Sequence, residues 1–308
     1  MCDIWKANQN KRELTTEDLA PHLESFRRLG VKQVLLSGGE PLMHSNLWSL
    51  CAHLKTLNVR ITLLSTGLLL QRFAQQICDS CDEVIVSLDG SREVHNKIRN
   101  IPQAYENLLE GVNALKAIDS AFRIAGRCVL QRQNYFDLLH IVQAARTMNL
   151  DQISFLTADV SSSAFNRPEP WPDSRVSEIA LDEAEIDRFE ALIQQLIEVH
   201  AAEISNGFIA ESADKLRRLP AYFSAIRRQG EFPPNRCNAP WVSAVVEADG
   251  AVRPCFFHLA LGNIHELPFE AILNGRKAVS FRKNLNVARD PICRKCVCTL
   301  HLSPFVEL

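Results

Sequence analysis

The chain has 308 residues, 34 Lys+Arg against 36 Asp+Glu, 46% hydrophobic residues and ten cysteines, enough for a large domain plus a smaller one around a real core, which excludes disordered and collagen-like chains. No apolar run approaches the roughly 18 residues of a membrane span, and no basic-then-apolar leader opens the sequence, so a cytoplasmic protein is expected. Near-neutral charge leaves no footprint for nucleic acid or an anionic membrane, and ten cysteines in that compartment read as core thiols and metal ligands rather than disulfides.

From residue 15 to about 157 helical and strand patterns alternate. Thr15-Thr16-Glu17-Asp18 reads as a helix cap, with Leu19, Leu23 and Phe26 on one face before Gly30 stops the helix. Five short apolar runs follow at 31–36, 59–64, 83–88, 122–130 and 152–156, separated by helical stretches near 46–57, 69–79, 103–118 and 135–148. This is βαβ repetition and predicts a parallel sheet, open or rolled into a barrel, with functional loops at the C-terminal ends of the strands. Residues 158–180, through Arg167-Pro168-Glu169-Pro170-Trp171-Pro172, hold too many prolines for a regular element and read as a lid or substrate loop. Within it Asp159 and Arg167 offer opposite charges to a polar substrate. Helices resume near 181–204 and 211–228. Gly230 with Pro233-Pro234 marks a boundary, giving domains at 1–229 and 230–308. Beyond it a short hairpin is expected, 242–247 and 252–257 around Asp249-Gly250, then loops with clustered cysteines.

Three strand ends carry polar, glycine-bearing strings: Ser37-Gly38-Gly39-Glu40-Pro41, Ser65-Thr66-Gly67 and Ser87-Leu88-Asp89-Gly90. Two glycines let a ligand approach the backbone, and Glu40 supplies a negative charge for an ammonium. Each string alone also reads as a tight βα turn; together on one rim they point to a site. In the tail, Cys237, Cys255 and the Cys293-Arg-Lys-Cys296 pair supply four thiolates, with Cys298 as a spare. Four soft sulfurs suit zinc or an iron-sulfur cluster, and spacing alone does not separate the two. Cys51, Cys78, Cys81 and Cys128 lie on helices or strands and read as structural. Cys2, before Asp3-Ile4-Trp5, has no expected core role.

These strings resemble the radical S-adenosylmethionine (radical SAM) enzymes across essentially the whole chain. Met1-Cys2-Asp3-Ile4-Trp5 looks like the end of that family's Cys-x3-Cys-x2-Cys loop, Gly38-Gly39-Glu40-Pro41 matches its Gly-Gly-Glu-Pro motif, and Ser87-Leu88-Asp89-Gly90 also fits. The tail, with Cys237, Gly250-x4-Cys255 and Cys293-x2-Cys296, looks like the shortened auxiliary-cluster domain called twitch, a relative of SPASM. The resemblance implies an α/β fold, a partial (β/α)6 barrel lacking its first strand, with a small cysteine-rich α+β domain behind it. It implies that Cys2 binds the catalytic 4Fe-4S cluster, that Gly38, Gly39, Glu40 and Pro41 line the amino group of S-adenosylmethionine, and that Ser87 and Asp89 lie near its ribose or carboxylate. Arg127 is either a further partner of that carboxylate or a solvated strand-end arginine. Cys237, Cys255, Cys293 and Cys296 would hold a second 4Fe-4S cluster. The implied reaction is reductive cleavage of S-adenosylmethionine, with an electron from a donor such as flavodoxin or ferredoxin, followed by hydrogen abstraction from a peptide or small molecule.

There are departures from the pattern. The family's first two cluster cysteines and first strand would precede Cys2, so the expectation is a true start upstream, the other reading being a truncated, inactive copy. His95-Asn96-Lys97-Ile98-Arg99-Asn100 stands where related enzymes often show His-Asp-x-Ile-Arg-Gly. The competing function is a non-catalytic binding module stabilised by zinc in the tail.

Overall fold

The computed structural model describes residues 8 to 303 apart from Gln9, Phe165, Asn166, Pro168 and Gln229. Cys2 therefore lies outside the described residues. Five parallel strands, β1 (Gln33–Leu36), β2 (Arg60–Ser65), β3 (Glu83–Ser87), β4 (Arg123–Leu130) and β5 (Gln152–Thr157), pair in chain order. Side chains alternate across them as strand geometry requires. Ile61, Leu63, Val84, Val86, Ile124, Cys128, Leu130, Ile153 and Phe155 form one buried face, covered by helices that include Leu47–Lys55, Ala74–Ser80, Ala104–Ile118 and Leu138–Thr147. The opposite face is polar at its base, where Glu83 accepts from Arg123 Nε at 2.7 Å and faces Arg60 Nη2 at 3.4 Å. A parallel sheet with one apolar and one polar face is a barrel wall rather than the middle of a doubly wound sandwich.

Each strand ends on a turn whose chemistry the sequence dictates. Gly67, after β2, sits at φ +91°, and a Cβ there would meet Leu108 Cδ1 at 2.5 Å, so both backbone and packing demand glycine. Cys51, Cys81 and Cys128 are buried in the core, as expected.

Two helices before residue 230 were not anticipated from the sequence, and neither were those of the tail, Ala239–Val242, Phe269–Asn274, Arg276–Asn284 and Pro291–Arg294. Arg92–Arg99 follows the β3 turn, and Asp173–Ile179 occupies the second half of the stretch expected to be loop. In the latter, Pro172 precedes the first helical residue, where a fixed φ helps rather than hinders. The Glu183–Val199 helix opens with a capping box between Asp182 and Glu185 and packs Phe189 against Phe223 of the Ala213–Arg227 helix, ring centroids 6.5 Å apart. Among the described residues no helix is long and apolar enough to cross a membrane.

The tail forms a three-stranded antiparallel sheet, β6 (Val245–Val246), β7 (Ala251–Arg253) and β8 (Gly262–Asn263). The hairpin turn holds Gly250 at φ +82°; the third strand was not expected. The Phe269–Asn274 helix docks on the first helices of the chain: Phe269 meets Phe26 edge to face at 4.8 Å, its N–H donates to His22 Nδ1 at 3.2 Å, and Glu270 pairs with Arg28 at 2.8 Å.

Candidate active site

The C-terminal ends of β1, β2 and β3 bring the three polar strings to one rim. Gly38 and Gly39 are exposed, and Pro41 starts a short 3-10 turn, Pro41–Met43, that Glu40 caps by accepting the Leu42 N–H at 3.2 Å. The same carboxylate accepts from Ser65 Oγ at 3.0 Å, from the Thr66 N–H at 2.8 Å and from the Thr66 hydroxyl. Four donors fill the roughly four lone-pair sites of a carboxylate. Glu40 is thus a strut joining the Gly-Gly-Glu-Pro turn to the end of β2. The exposed backbone of Gly38 and Gly39 lies beside it on the same rim.

Asp89 is buried at the end of β3. Its side chain is 1% exposed and its Oδ2 lies 2.6 Å from Arg99 Nε, close but out of hydrogen-bond alignment, with His95 Nδ1 at 3.9 Å. His95 and Arg99 are four residues apart and so share one face of their helix. His95 Nδ1 accepts the Asp89 N–H at 3.1 Å, while Asn134 Nδ2 donates to the Asp89 carbonyl at 2.9 Å and to the Val129 carbonyl at 3.1 Å. Burial raises the Asp89 pKa and Arg99 opposes it; burial, then the charge of Arg99, lowers that of His95 to about 3. The neutral imidazole and the cation hold the Asp89 turn from inside, so the carboxylate does not stand open to a ribose. The His95-x3-Arg99 spacing carried this signal in the sequence; Asn134 carried none. Ser87, half-buried, ends β3 opposite Arg127 of β4.

Arg127 is half-buried on the polar face of the sheet, its Nε 3.4 Å from Ser154 Oγ. Its charge reaches Glu211, whose pKa burial raises, and Cys298 of the tail. It is therefore not a solvated arginine.

Asp159 and Arg167 form a buried ion pair at 2.5 Å, side chains 2% and 4% exposed. Ser162 also donates to Asp159, and Arg167 donates to the Ala164 carbonyl at 3.1 Å and lies over the Trp171 ring at 4.4 Å. The two charges read from the sequence as offered to a substrate lie against each other out of water.

In the tail, burial and neighbouring cysteines raise the thiols of Cys255, Cys293, Cys296 and Cys298. Burial raises the Cys255 thiol, and Cys237 and Cys298 raise it further. Burial and Asp290 push Cys293 to about 12, with Cys255 and Cys237 adding to the shift; Cys296 is raised by burial and by Cys298, Cys255 and Cys237. Cys298, expected as a spare, belongs to this group. Its surface reaches solvent, yet protein on its other sides desolvates and raises it, while Arg127 and Lys215 lower it. Asn235 clamps the Cys-x-x-Cys turn, donating to the carbonyls of Cys293 at 2.8 Å and Cys296 at 3.0 Å. Among the described residues, the one set of three ligand-type atoms within 4.8 Å of one another is His258, Asp290 and Cys293. Asp290 is there as a helix cap, accepting from the Ile292 and Cys293 amides, and His258 Nε2 lies 3.3 Å from Cys293 Sγ. Among the described residues no three cysteine sulfurs come that close. A metal centre bound there would stabilise thiolates that burial otherwise holds protonated.

Residues 1–145 match the model of the radical SAM superfamily, and residues 237–297 match that of the SPASM iron-sulfur cluster-binding domain. The chain carries a radical SAM domain followed by a SPASM domain. Radical SAM proteins use a 4Fe-4S cluster with S-adenosylmethionine, and SPASM domains bind auxiliary iron-sulfur clusters. Among enzyme relatives, the Fe-coproporphyrin III synthase of Methanosarcina barkeri is 24% identical over 310 residues, covering 93% of this chain and 73% of its own. The fold is shared with native anSMEcpe with bound AdoMet, at TM-score 0.62 and 15% identity over 90% of this chain and 75% of that one. It is shared equally with Streptococcus suis SuiB bound to precursor peptide SuiA, at TM-score 0.62 and 14% identity over 96% and 68%.

Proposed function

We propose that this radical SAM enzyme abstracts hydrogen from a peptide or small molecule held between the barrel rim, within residues 1–229, and the auxiliary domain, 230–308. The supporting observation is one cavity whose lining runs from Thr157, the last residue of β5, to Cys296 of the tail cysteine group. When bound, the reduced cluster supplies the electron that splits S-adenosylmethionine into methionine and the 5′-deoxyadenosyl radical that takes the hydrogen. Cys2 is its ligand in this chain. The backbone of Gly38 and Gly39 receives the ammonium of the methionine part, with Glu40 and Pro41 fixing the turn. Ser87 borders the ribose on a turn that Asp89, paired with Arg99, holds in place. Arg127 offers its guanidinium to the carboxylate. Cys237, Cys255, Cys293 and Cys296 hold the auxiliary cluster, and the Asp159–Arg167 pair shapes the loop beside the substrate. The relatives named above act on a porphyrin or hold a peptide, and both classes are compatible with a site of this kind. The test is anaerobic incubation of the reconstituted protein, expressed with any residues its gene encodes before Met1, with S-adenosylmethionine and flavodoxin or dithionite. Formation of 5′-deoxyadenosine and its loss in Cys2→Ala are expected; no 5′-deoxyadenosine from protein with full iron content would contradict the reading.

A further inference from the structure

The cavity between the end of β5 and the tail has a volume of about 520 Å³ and carries four basic side chains, Lys215, Arg218, Arg236 and Arg294, against one acid, Asp214. The whole chain is nearly balanced, 34 basic residues to 36 acidic, so this excess is local. Asp214 is itself paired with Arg217 at 3.1 Å. Among the described residues Arg236 and Arg294 make no ion pair, and Arg218 donates to the Pro234 carbonyl at 3.2 Å. Lys215 lies 3.6 Å from Glu211, whose buried carboxylate also accepts the Phe155 N–H at 2.9 Å. Four cations with little local compensation repel one another across a small volume, and an anionic guest relieves that repulsion.

The rest of the wall narrows the choice of anion. Leu219, Tyr222, Phe232 and Val297 supply apolar surface between the charges. No glycine lines the cavity, so it has no flexible backbone cradle of the sort that wraps phosphates. Guanidinium forks meet planar carboxylates two bonds at a time. Arg236 and His301 also line a neighbouring cavity of about 760 Å³, where Lys283 adds a further cation and no acid appears; the basic surface continues outward as a way in.

We propose that the substrate of this cavity is a small polycarboxylate, its apolar or aromatic body against Tyr222 and Phe232 and its carboxylates on Lys215, Arg218, Arg236 and Arg294. The fate of the guest rests on the hydrogen-abstraction reading above; its binding does not. A guest held here has Thr157 of the barrel on one side and Cys296 of the auxiliary group on the other.

The test is calorimetry on the full chain without S-adenosylmethionine or reductant, using benzene-1,2,4,5-tetracarboxylate, benzoate, tripolyphosphate and hexaglutamate as probes. The tetracarboxylate should bind at least about tenfold more tightly than the other three, weaken with salt, and weaken at least about tenfold in Arg218→Ala/Arg294→Ala. Arg228→Ala, at the far end of the same helix and paired with Asp187 at 2.9 Å away from the cavity, should leave its affinity unchanged, and circular dichroism should show all variants folded. Equal binding of benzoate, tightest binding of tripolyphosphate or of hexaglutamate, or an indifferent double variant would overturn the assignment, the hexaglutamate result in favour of an acidic peptide. Measuring 5′-deoxyadenosine separately keeps the two readings apart: cleavage without tetracarboxylate binding overturns this proposal alone, and binding without cleavage upholds it while removing the catalytic reading.

Discussion

Replacing Arg99 by Met would leave the Asp89 carboxylate buried, 1% exposed, with its ion-pair partner at 2.6 Å gone. Breaking a buried pair by removing one partner costs about 3–5 kcal/mol. Arg99 keeps 18% of its side chain exposed, so some water reaches the vacancy and a loss of about 3 kcal/mol at pH 7 is expected. His95 is a poor substitute, since its Nδ1 already accepts the Asp89 N–H and burial favours the neutral ring. The pH dependence follows from the direction of the Asp89 shift, raised by burial with Arg99 opposing. Without Arg99 the folded-state pKa rises further above the unfolded value. Between those two values the folded state holds more protons than the unfolded one, so stability falls as pH rises through the window. The deficit of Arg99→Met should therefore be largest at neutral pH and shrink toward pH 4, and Asp89→Asn/Arg99→Met should recover much of it. Urea unfolding followed by circular dichroism at both pH values reads this directly. A deficit under about 1 kcal/mol at pH 7, or one that neither acid nor Asp89→Asn reduces, would refute the reasoning.

Other positions give further tests. Gly67→Ala forces a Cβ into Leu108 Cδ1 at 2.5 Å and a side chain onto φ +91°, so a loss of about 2–4 kcal/mol in the same unfolding assay is expected. Glu40→Gln turns an acceptor of Ser65 and Thr66 donors into a partial donor; S-adenosylmethionine affinity should drop about tenfold or more by calorimetry, with the fold intact. Asn235→Ala frees the carbonyls of Cys293 and Cys296 and should speed loss of tail iron to a chelator. His258→Phe removes the imidazole 3.3 Å from Cys293 Sγ and should lower the reduction potential of the auxiliary cluster, since hydrogen bonds to cluster sulfurs stabilise the reduced state.

The sheet was legible because its strands are short β-branched runs bounded by turns, and the observed strands fall within a residue or two of those runs. The helix Arg92–Arg99 escaped because its residues are mostly polar and charged, leaving His95 as its one buried side chain; it is held by Asp89 rather than by an apolar stripe. Gly38 to Pro41, Asp89 and the cysteines could be found by string, yet strings do not say what a side chain touches. Glu40 and Asp89 look like ligand groups in sequence, and nothing in their strings reveals that Ser65, Thr66 and Arg99 arrive beside them from elsewhere in the chain. Asp159 and Arg167 were opposite charges on one loop, and nothing in their order revealed that they close on each other. The basic cavity is equally hidden, its four cations coming from a helix, a linker and the tail.

On the proposed reading the tail cysteines hold an iron-sulfur cluster that faces the barrel. Iron, acid-labile sulfide and zinc should be counted in anaerobically reconstituted protein and in Cys255→Ala/Cys296→Ala. A loss of about four irons and four sulfides per chain in the variant, with negligible zinc in either, is predicted. Stoichiometric zinc in the unaltered chain, lost on the double substitution while iron stays constant, would contradict it.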